Sequence, residues 1–328
     1  MAAKPPVIFL LGPTASGKTD LAILLREQID AELISVDSAQ VYRGLDIGAA
    51  KPDAETLARA PHRLIDIRDP AEPYSAAEFK CDALSEIDAI VGAGKVPILV
   101  GGTMLYFKVL LEGMADLPAA DQDLRREIEQ RAAQQGWPAL HAELAKVDPQ
   151  SAAELHPNHS ARIERALEVY QLTGVPLSEH KKNQTDVSPL ANYRVIQLGL
   201  DVRNREMLHH RIAQRFHNMM AQGFLGEVET LWRRGDLNVG LPSIRSAGYA
   251  QLWQHFAAGD PLETAVNKGI FATRQLAKRQ LTWMRGWDGL QTLAIDDDRG
   301  DPKSVEILLS DALKIVSDET ILLGHNLL

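Results

Sequence analysis

Short apolar runs alternate with helix-period stretches along the first third of the chain. Residues 7–11 form a compact apolar run that stops at a glycine-rich turn, and residues 19–28 carry Leu21, Ala22, Leu24 and Leu25 at helical spacing. Residues 32–36 predict a second buried strand, which delivers Asp37 at its carboxyl end; residues 63–67 predict a short third one. Ser75-Ala76-Ala77-Glu78 is a capping box. It opens a helix through Phe79, Leu84, Ile87 and Ile90 that ends at Gly92-Ala93-Gly94. Residues 95–100 read as a β-branched strand running into Gly101-Gly102-Thr103, and residues 104–111 resume a helical pattern. Strands alternating with helices predict parallel βαβ units, whose ligands sit beyond the carboxyl ends of the strands. The glycine-rich turn, Asp37 and Thr103 all fall at such ends.

From residue 121 to 182 the pattern changes to charged helical segments, such as 124–134 and 161–172, with no strand among them. Residues 194–202 restore a strand. Helices are then predicted over 204–234, 244–258 and 262–285, with a late strand at 290–295 and a helix at 304–316 before a tail. The expected fold is α/β: a P-loop NTPase-like parallel sheet with flanking helices and a mostly helical inserted domain. Its expected divisions are a core segment over 1–115, the insertion over 116–190, the rest of the core over 191–300, and a C-terminal helix and tail over 301–328.

The chain has 328 residues, 45% hydrophobic and 24% charged, the composition of an ordinary globular protein. No apolar run approaches the roughly 18 residues of a membrane span. Met1-Ala2-Ala3-Lys4-Pro5-Pro6 leads into the first strand without a signal-peptide pattern, so cytoplasmic residence is expected. The lone Cys81 excludes an internal disulfide and any Cys-rich zinc site, and is expected to be a small buried hydrophobe. The ten histidines fall in no ligand spacing. A net charge of −9 opposes general attraction to nucleic acid, leaving only a local basic patch for that purpose.

The turn itself reads Gly12-Pro13-Thr14-Ala15-Ser16-Gly17-Lys18-Thr19, the GxxxxGK[ST] pattern. Glycines let backbone N–H groups wrap a phosphate, and the following helix adds about half a positive charge at its N-terminus. Lys18 supplies a full charge and Thr19 a hydroxyl suited to Mg²⁺. Asp37, ionised at neutral pH, is placed to hold Mg²⁺ through water or to take a proton from a nucleophile. Thr103 follows two glycines at a strand end and opens a helix, a place that suits an N-cap and is compatible with a phosphate contact. Arg274, Lys278 and Arg285 share one face of a helix, opposite Leu276, Trp283 and Trp287. Residues 262–287 carry five Lys/Arg against one acid, a local basic surface in an acidic chain. On these residues alone a P-loop kinase or ATPase, with Arg245 as phosphate clamp, and a non-catalytic RNA-binding module both remain open.

With the P-loop, the chain carries Asp37-Ser38-Ala39-Gln40-Val41-Tyr42, Asp46-Ile47-Gly48 and Gly101-Gly102-Thr103-Met104-Leu105-Tyr106. It also carries Arg162-Ile163-Glu164-Arg165-Ala166-Leu167-Glu168, Ser243-Ile244-Arg245 with Gly248-Tyr249, and Lys278-Arg279-Gln280-Leu281-Thr282-Trp283. In this order it closely resembles the tRNA dimethylallyltransferase family, bacterial type. The resemblance implies transfer of a dimethylallyl group from its diphosphate to the N6 amine of the adenosine 3′-adjacent to the anticodon, in tRNAs reading UNN codons. Mg²⁺ is the implied cofactor, the anticodon stem-loop the implied partner and a monomer the implied state. It implies that residues Gly12, Pro13, Thr14, Ala15, Ser16, Gly17, Lys18 and Thr19 hold the donor's diphosphate, with Thr19 on the metal. Asp37 is the implied general base, and Lys18, Thr103 and Arg245 the implied stabilisers of the leaving group. Implied tRNA contacts are Asp37, Ser38, Ala39, Gln40, Thr103, Arg125, Ala161, Arg162, Ile163, Glu164, Arg165, Ser243, Ile244, Arg245, Arg274, Lys278 and Arg279. The chain departs from the family pattern at His159, where an Asp is expected, and at Ala49, where a Thr is expected. It lacks the Cys/His zinc-finger extension of eukaryotic relatives.

Overall fold

The structure, a computed structural model, describes residues 4–183 and 187–321. The N-terminal three residues and the tail after 321 lie outside the described residues. The core opens with β1 (Pro6–Leu11), α1 (Lys18–Gln28), β2 (Ala31–Val36), α2 (Ala54–Arg59), β3 (His62–Arg63), α3 (Ala76–Gly92), β4 (Val96–Gly101) and α4 (Met104–Glu112). Five helices follow: α5 (Gln122–Gln135), α6 (Trp137–Val147), α7 (Pro149–Glu154), α8 (Ser160–Thr173) and α9 (Leu177–Lys182). The core resumes with β5 (Arg194–Asp201), α10 (Arg205–Ala221), α11 (Phe224–Arg233), α12 (Tyr249–Ala258), α13 (Leu262–Arg285), β6 (Gln291–Ala294) and α14 (Val305–Ile321). No helix among the described residues is long and apolar enough to cross a membrane.

The six strands form one parallel sheet in the order β3-β2-β4-β1-β5-β6. β1 is central, and Val7 to Leu11 are fully buried, which is why this strand reads as a continuous apolar run rather than an alternation. Phe9 packs on Phe107 of α4 with ring centroids 5.0 Å apart. Burying such a ring stabilises the fold by about 2–3 kcal/mol. The register matters most for function: Leu11 and Val36 both pair with Gly101. Gly12, Asp37 and Gly102 therefore leave three adjacent strands side by side. Hydrogen bonds Gly12 N–H to Gly101 O (3.3 Å) and Thr103 N–H to Val36 O (3.2 Å) tie the three exits together.

Several predicted boundaries move. The third strand shrinks to His62–Arg63, because Leu64 and Asp66 take left-handed φ values of 63° and 58° that end the extended run. The helix predicted over 204–234 is two helices, broken where Gly223 adopts φ 102°. The helix predicted from residue 244 begins only at Tyr249. The predicted capping box is present, with Ser75 and Glu78 exchanging bonds at the start of α3. Cys81 is exposed on α3, not buried, since the inward positions of that helix are taken by Phe79, Ala83, Ile87 and Ile90.

Residues Glu112–Ser188 form a compact unit of their own. Ile128, Leu140, Leu144, Ile163 and Leu167 make its core. Beside that core Glu168 is fully buried, and both of its oxygens are used. Arg125 grips it through Nε (2.9 Å) and a terminal nitrogen (3.0 Å), Arg165 donates at 2.7 Å, and the Asp121 N–H at 2.8 Å. Burial alone pushes its carboxyl up, but the hydrogen bonds from Arg125, Arg165 and Asp121 outweigh it and hold the group below the usual range. Removing the carboxylate strands two partly buried guanidinium groups. Glu168→Gln is expected to destabilise this unit by about 3 kcal/mol, read as a lowered midpoint in thermal unfolding. Because the folded value is depressed, the stabilisation is full at neutral pH and fades as pH falls through it.

Candidate active site

The glycine-rich turn follows the buried strand β1 and opens α1. Gly17 adopts φ 85° at the N-cap, a conformation that L side chains rarely take, and Ala15 also has a positive φ of 63°. Among the described residues, the N–H groups of Ala15, Ser16 and Gly17 meet no protein acceptor, and the buried Ser16 hydroxyl has no partner. Thr14 N–H is the exception: it donates to Gln280 Oε1 of α13 at 2.9 Å, while Gln280 Nε2 donates to Gly102 O at 2.9 Å. A buried amide thus braces the turn against the β4 exit. Gln280→Leu leaves both backbone groups unpaired. Inorganic diphosphate is expected to bind about tenfold more weakly to that variant by titration calorimetry.

The turn lines a cavity of about 1340 Å³. Single small-ligand sites run to about 300–1,000 Å³, so this one has room for two reactants. Thr14 through Thr19 form one wall, with Asp37 to Gln40 and Thr103 beside them. Arg245 and Arg279 reach it from elsewhere in the fold. Gly12 and Pro13 do not line it; Pro13 instead takes a bond from Lys18 Nζ through its carbonyl (3.1 Å). Burial pushes the Lys18 ammonium down to about 8, helped by the charge of Arg215 and opposed by Asp37. Arg215 is itself held below an ordinary guanidinium by burial, with Asp37 and Asp20 opposing. Two desolvated cations and a ring of open N–H groups make a trap for a polyanion.

Asp37 is fixed at one oxygen. The N–H groups of Ala39 (2.8 Å) and Gln40 (3.3 Å) both donate to Oδ1. Among the described residues Oδ2 has no protein donor, which leaves it for a substrate. The Thr103 hydroxyl accepts Ser38 N–H at 3.1 Å, joining the β2 and β4 exits.

Other predicted contact residues lie elsewhere. Ser243 and Ile244 are fully buried, the former donating to Pro70 O at 2.6 Å, so their side chains offer no surface to RNA. Ile163 is likewise core. Arg125 and Arg165 are engaged on Glu168, while Ala161 and Arg162 are exposed on α8 and Glu164 is half-buried. His159 caps α8 without a side-chain bond to it. On α13, Lys278 and Arg279 are exposed, whereas Arg274 donates to His209 O at 3.4 Å. The apolar stripe expected of Leu276 and Trp283 is not the packed face. Ala277, Gln280, Leu281 and Met284 are buried instead, and Leu276 and Trp283 line the cavity.

Arg211 and Arg215 escaped sequence reading. They come from α10, and Arg215 falls in line with Leu208, Ile212 and Met219 at helical spacing. A cation on the apolar stripe of an amphipathic helix is the signal that marks it.

The comparisons with known proteins decide the family. A profile described as IPP transferase matches residues 40–287. The chain belongs to the IPP transferase family. It is 34% identical to a tRNA isopentenylpyrophosphate transferase from Bacillus halodurans, over 98% of this chain and 100% of that one, with a TM-score of 0.67. It is 35% identical to a tRNA delta(2)-isopentenylpyrophosphate transferase from Staphylococcus epidermidis, over 96% and 99%, with a TM-score of 0.68. A eukaryotic dimethylallyltransferase acting on tRNA is 25% identical over 98% of this chain and 81% of its own, with a TM-score of 0.78. Membership in this family makes the chain a prenyl-transferring enzyme of tRNA modification.

Proposed function

We propose that this IPP transferase moves a dimethylallyl group from its diphosphate to the N6 amine of the adenosine 3′-adjacent to the anticodon, in tRNAs reading UNN codons. The observation that carries this reading is a carboxylate anchored at one oxygen beside a two-cation diphosphate cradle, in a cavity large enough for both substrates.

An adenine amine is a poor nucleophile because its lone pair is delocalised into the ring, and its proton becomes acidic only as the C–N bond forms. Asp37 Oδ2 takes that proton late in the step. Oδ1 stays bound to Ala39 and Gln40, so the base is aimed before the substrate arrives. As the bond from carbon to diphosphate breaks, negative charge grows on the leaving group. Lys18, Arg215, the open N–H groups of the turn, Thr103 and Arg245 face that charge. A stacked base cannot enter the cavity, so the adenosine is flipped out of the anticodon loop, with Asp37 to Gln40 lining its pocket. Lys278, Arg279, Arg162 and the surface around Ala161 and Glu164 contact the RNA backbone; Arg125 and Arg165 support that surface from behind through Glu168.

Among the described residues no three His, Cys, Asp or Glu side chains gather into a protein-built metal cage. Mg²⁺ needs none, because it is held through substrate phosphates with one or two protein oxygens. Thr19, on the cavity wall, would supply such an oxygen, with the substrate phosphates and water as the other ligands, and the donor set fits. When bound, the ion neutralises charge on the leaving diphosphate. The enzyme acts as a cytoplasmic monomer in this reading.

The test is mass analysis of tRNA nucleosides after incubation with dimethylallyl diphosphate and Mg²⁺, with ATP as the control donor. The expected product is N6-dimethylallyladenosine next to the anticodon. ATP turnover without prenylated RNA would reject the assignment.

A further inference from the structure

Asp46 to Ala50 wall the cavity through Gly48, Ala49 and Ala50. The N–H groups of Asp46, Ile47 and Gly48 converge on one carboxylate. Glu227 Oε2, on α11, accepts from Asp46 (3.0 Å) and Ile47 (2.7 Å), and its Oε1 accepts from Gly48 (3.1 Å). The Tyr249 hydroxyl, at the start of α12, donates to Oε1 at 2.5 Å and accepts the Ala49 N–H at 3.1 Å. Four consecutive N–H groups are thus consumed by one Glu–Tyr pair. Gly48 is pressed so close that a Cβ there would lie 2.1 Å from Phe224.

The same segment faces the other way through its carbonyls. Ala49 O and Ala50 O each accept from Gln40 Nε2 at 3.3 Å, and Gln40 Oε1 accepts from the Ser35 hydroxyl at 2.8 Å. Gln40 is the residue whose own N–H binds Asp37 Oδ1. A continuous path of hydrogen bonds runs from Glu227 through residues 46–50 and Gln40 to Asp37.

We propose that Glu227, with Tyr249, is a positioning residue for the transfer: it fixes the backbone of residues 46–50, hence Gln40, hence the Asp37 carboxylate. The proposal rests on Asp37 being the base. Four donors aimed at two oxygens require a carboxylate, since an amide would turn one acceptor into a donor facing another N–H. A misplacement of about 1 Å at a reacting group lowers turnover about a hundredfold.

The test compares Glu227→Gln, Tyr249→Phe, Gln40→Ala and the Glu227→Gln/Gln40→Ala pair with the wild-type enzyme. Glu227→Gln is expected to lower kcat about a hundredfold with donor affinity unchanged, a split that general unfolding does not give. Tyr249→Phe, which keeps the ring and loses only the hydroxyl, is expected to lower kcat about tenfold. The pair is expected to be no slower than its slower single, because both act along one path. Hydrogen exchange reads the path whatever group the enzyme transfers: in Glu227→Gln, the amides of residues 46–49 and those of Ala39 and Gln40 exchange faster together. Wild-type kcat in both Glu227→Gln and Tyr249→Phe, faster exchange confined to residues 46–49, or additive losses in the pair would overturn the proposal. A wild-type enzyme that prenylates no RNA sinks the proposed function instead, while the exchange pattern still decides the path.

Discussion

Asp37→Asn is expected to lower prenyl transfer by about 10²–10⁴-fold while dimethylallyl diphosphate and tRNA still bind. The substitution is isosteric. Its carbonyl oxygen keeps the bonds from Ala39 and Gln40 that hold the turn, so the pocket for the base retains its shape. What disappears is the one lone pair aimed at the cavity that can accept the amine proton as the C–N bond forms. The cradle lies on a different strand exit, so its contacts stay in place. The Asp37 charge that helps keep Lys18 and Arg215 protonated is lost, and donor affinity is therefore compared below pH 7, where both cations remain charged. Single-turnover transfer should therefore collapse while calorimetric donor affinity stays near that of the wild type. Equal transfer by both proteins would remove Asp37 from the mechanism and leave the amine to lose its proton to water.

The parts of this site that lie at strand ends were legible in the sequence, because a buried parallel strand announces itself as an apolar run and the residue after it is placed by topology. Gly12, Asp37 and Thr103 were found that way, and the register of β1, β2 and β4 brings their exits together. From the second half of the chain, Arg245 and Arg279 stood in recognisable motifs and do line the cavity, but Arg215 and Gln280 were not legible. Arg215 sits on a helix that also carries the exposed Arg205 and Glu206, and nothing local says which charges turn inward except its place among Leu208, Ile212 and Met219. Gln280 reads as an ordinary polar helix residue, yet it is buried against the turn. Segment 46–50 has no periodic pattern, since its backbone is satisfied by Glu227 and Tyr249 rather than by a helix or a strand. Ser243, Ile244 and Ile163 turn their side chains into the interior for a related reason: a motif spans several residues of a helix or turn, and only some face outward. Arg125 and Arg165 illustrate the converse, cations at a surface whose charge is already spent on Glu168.

Lys18→Met is expected to weaken dimethylallyl diphosphate binding by about a hundredfold, the loss of a charge-assisted contact to the diphosphate. The pH dependence of the wild-type enzyme gives a sharper test of the same group. Burial and Arg215 hold the Lys18 ammonium at about 8 instead of its ordinary 10.5. Below pH 8 the folded enzyme keeps a charge it would rather shed, at a cost of roughly 2–3 kcal/mol in stability. Between pH 8 and 10.5 the unfolded chain binds this proton more tightly than the folded one, so this group's contribution to stability rises with pH across that window. Donor affinity runs the other way, because the charge that attracts the diphosphate is lost as pH rises through 8. Bound diphosphate favours the ammonium, so binding near pH 8–9 takes up a proton, which calorimetry in buffers of different ionisation enthalpy detects. The two opposed slopes share one cause, and Lys18→Met should flatten both; a variant that binds weakly yet keeps the wild-type pH dependence would place the titration on another group.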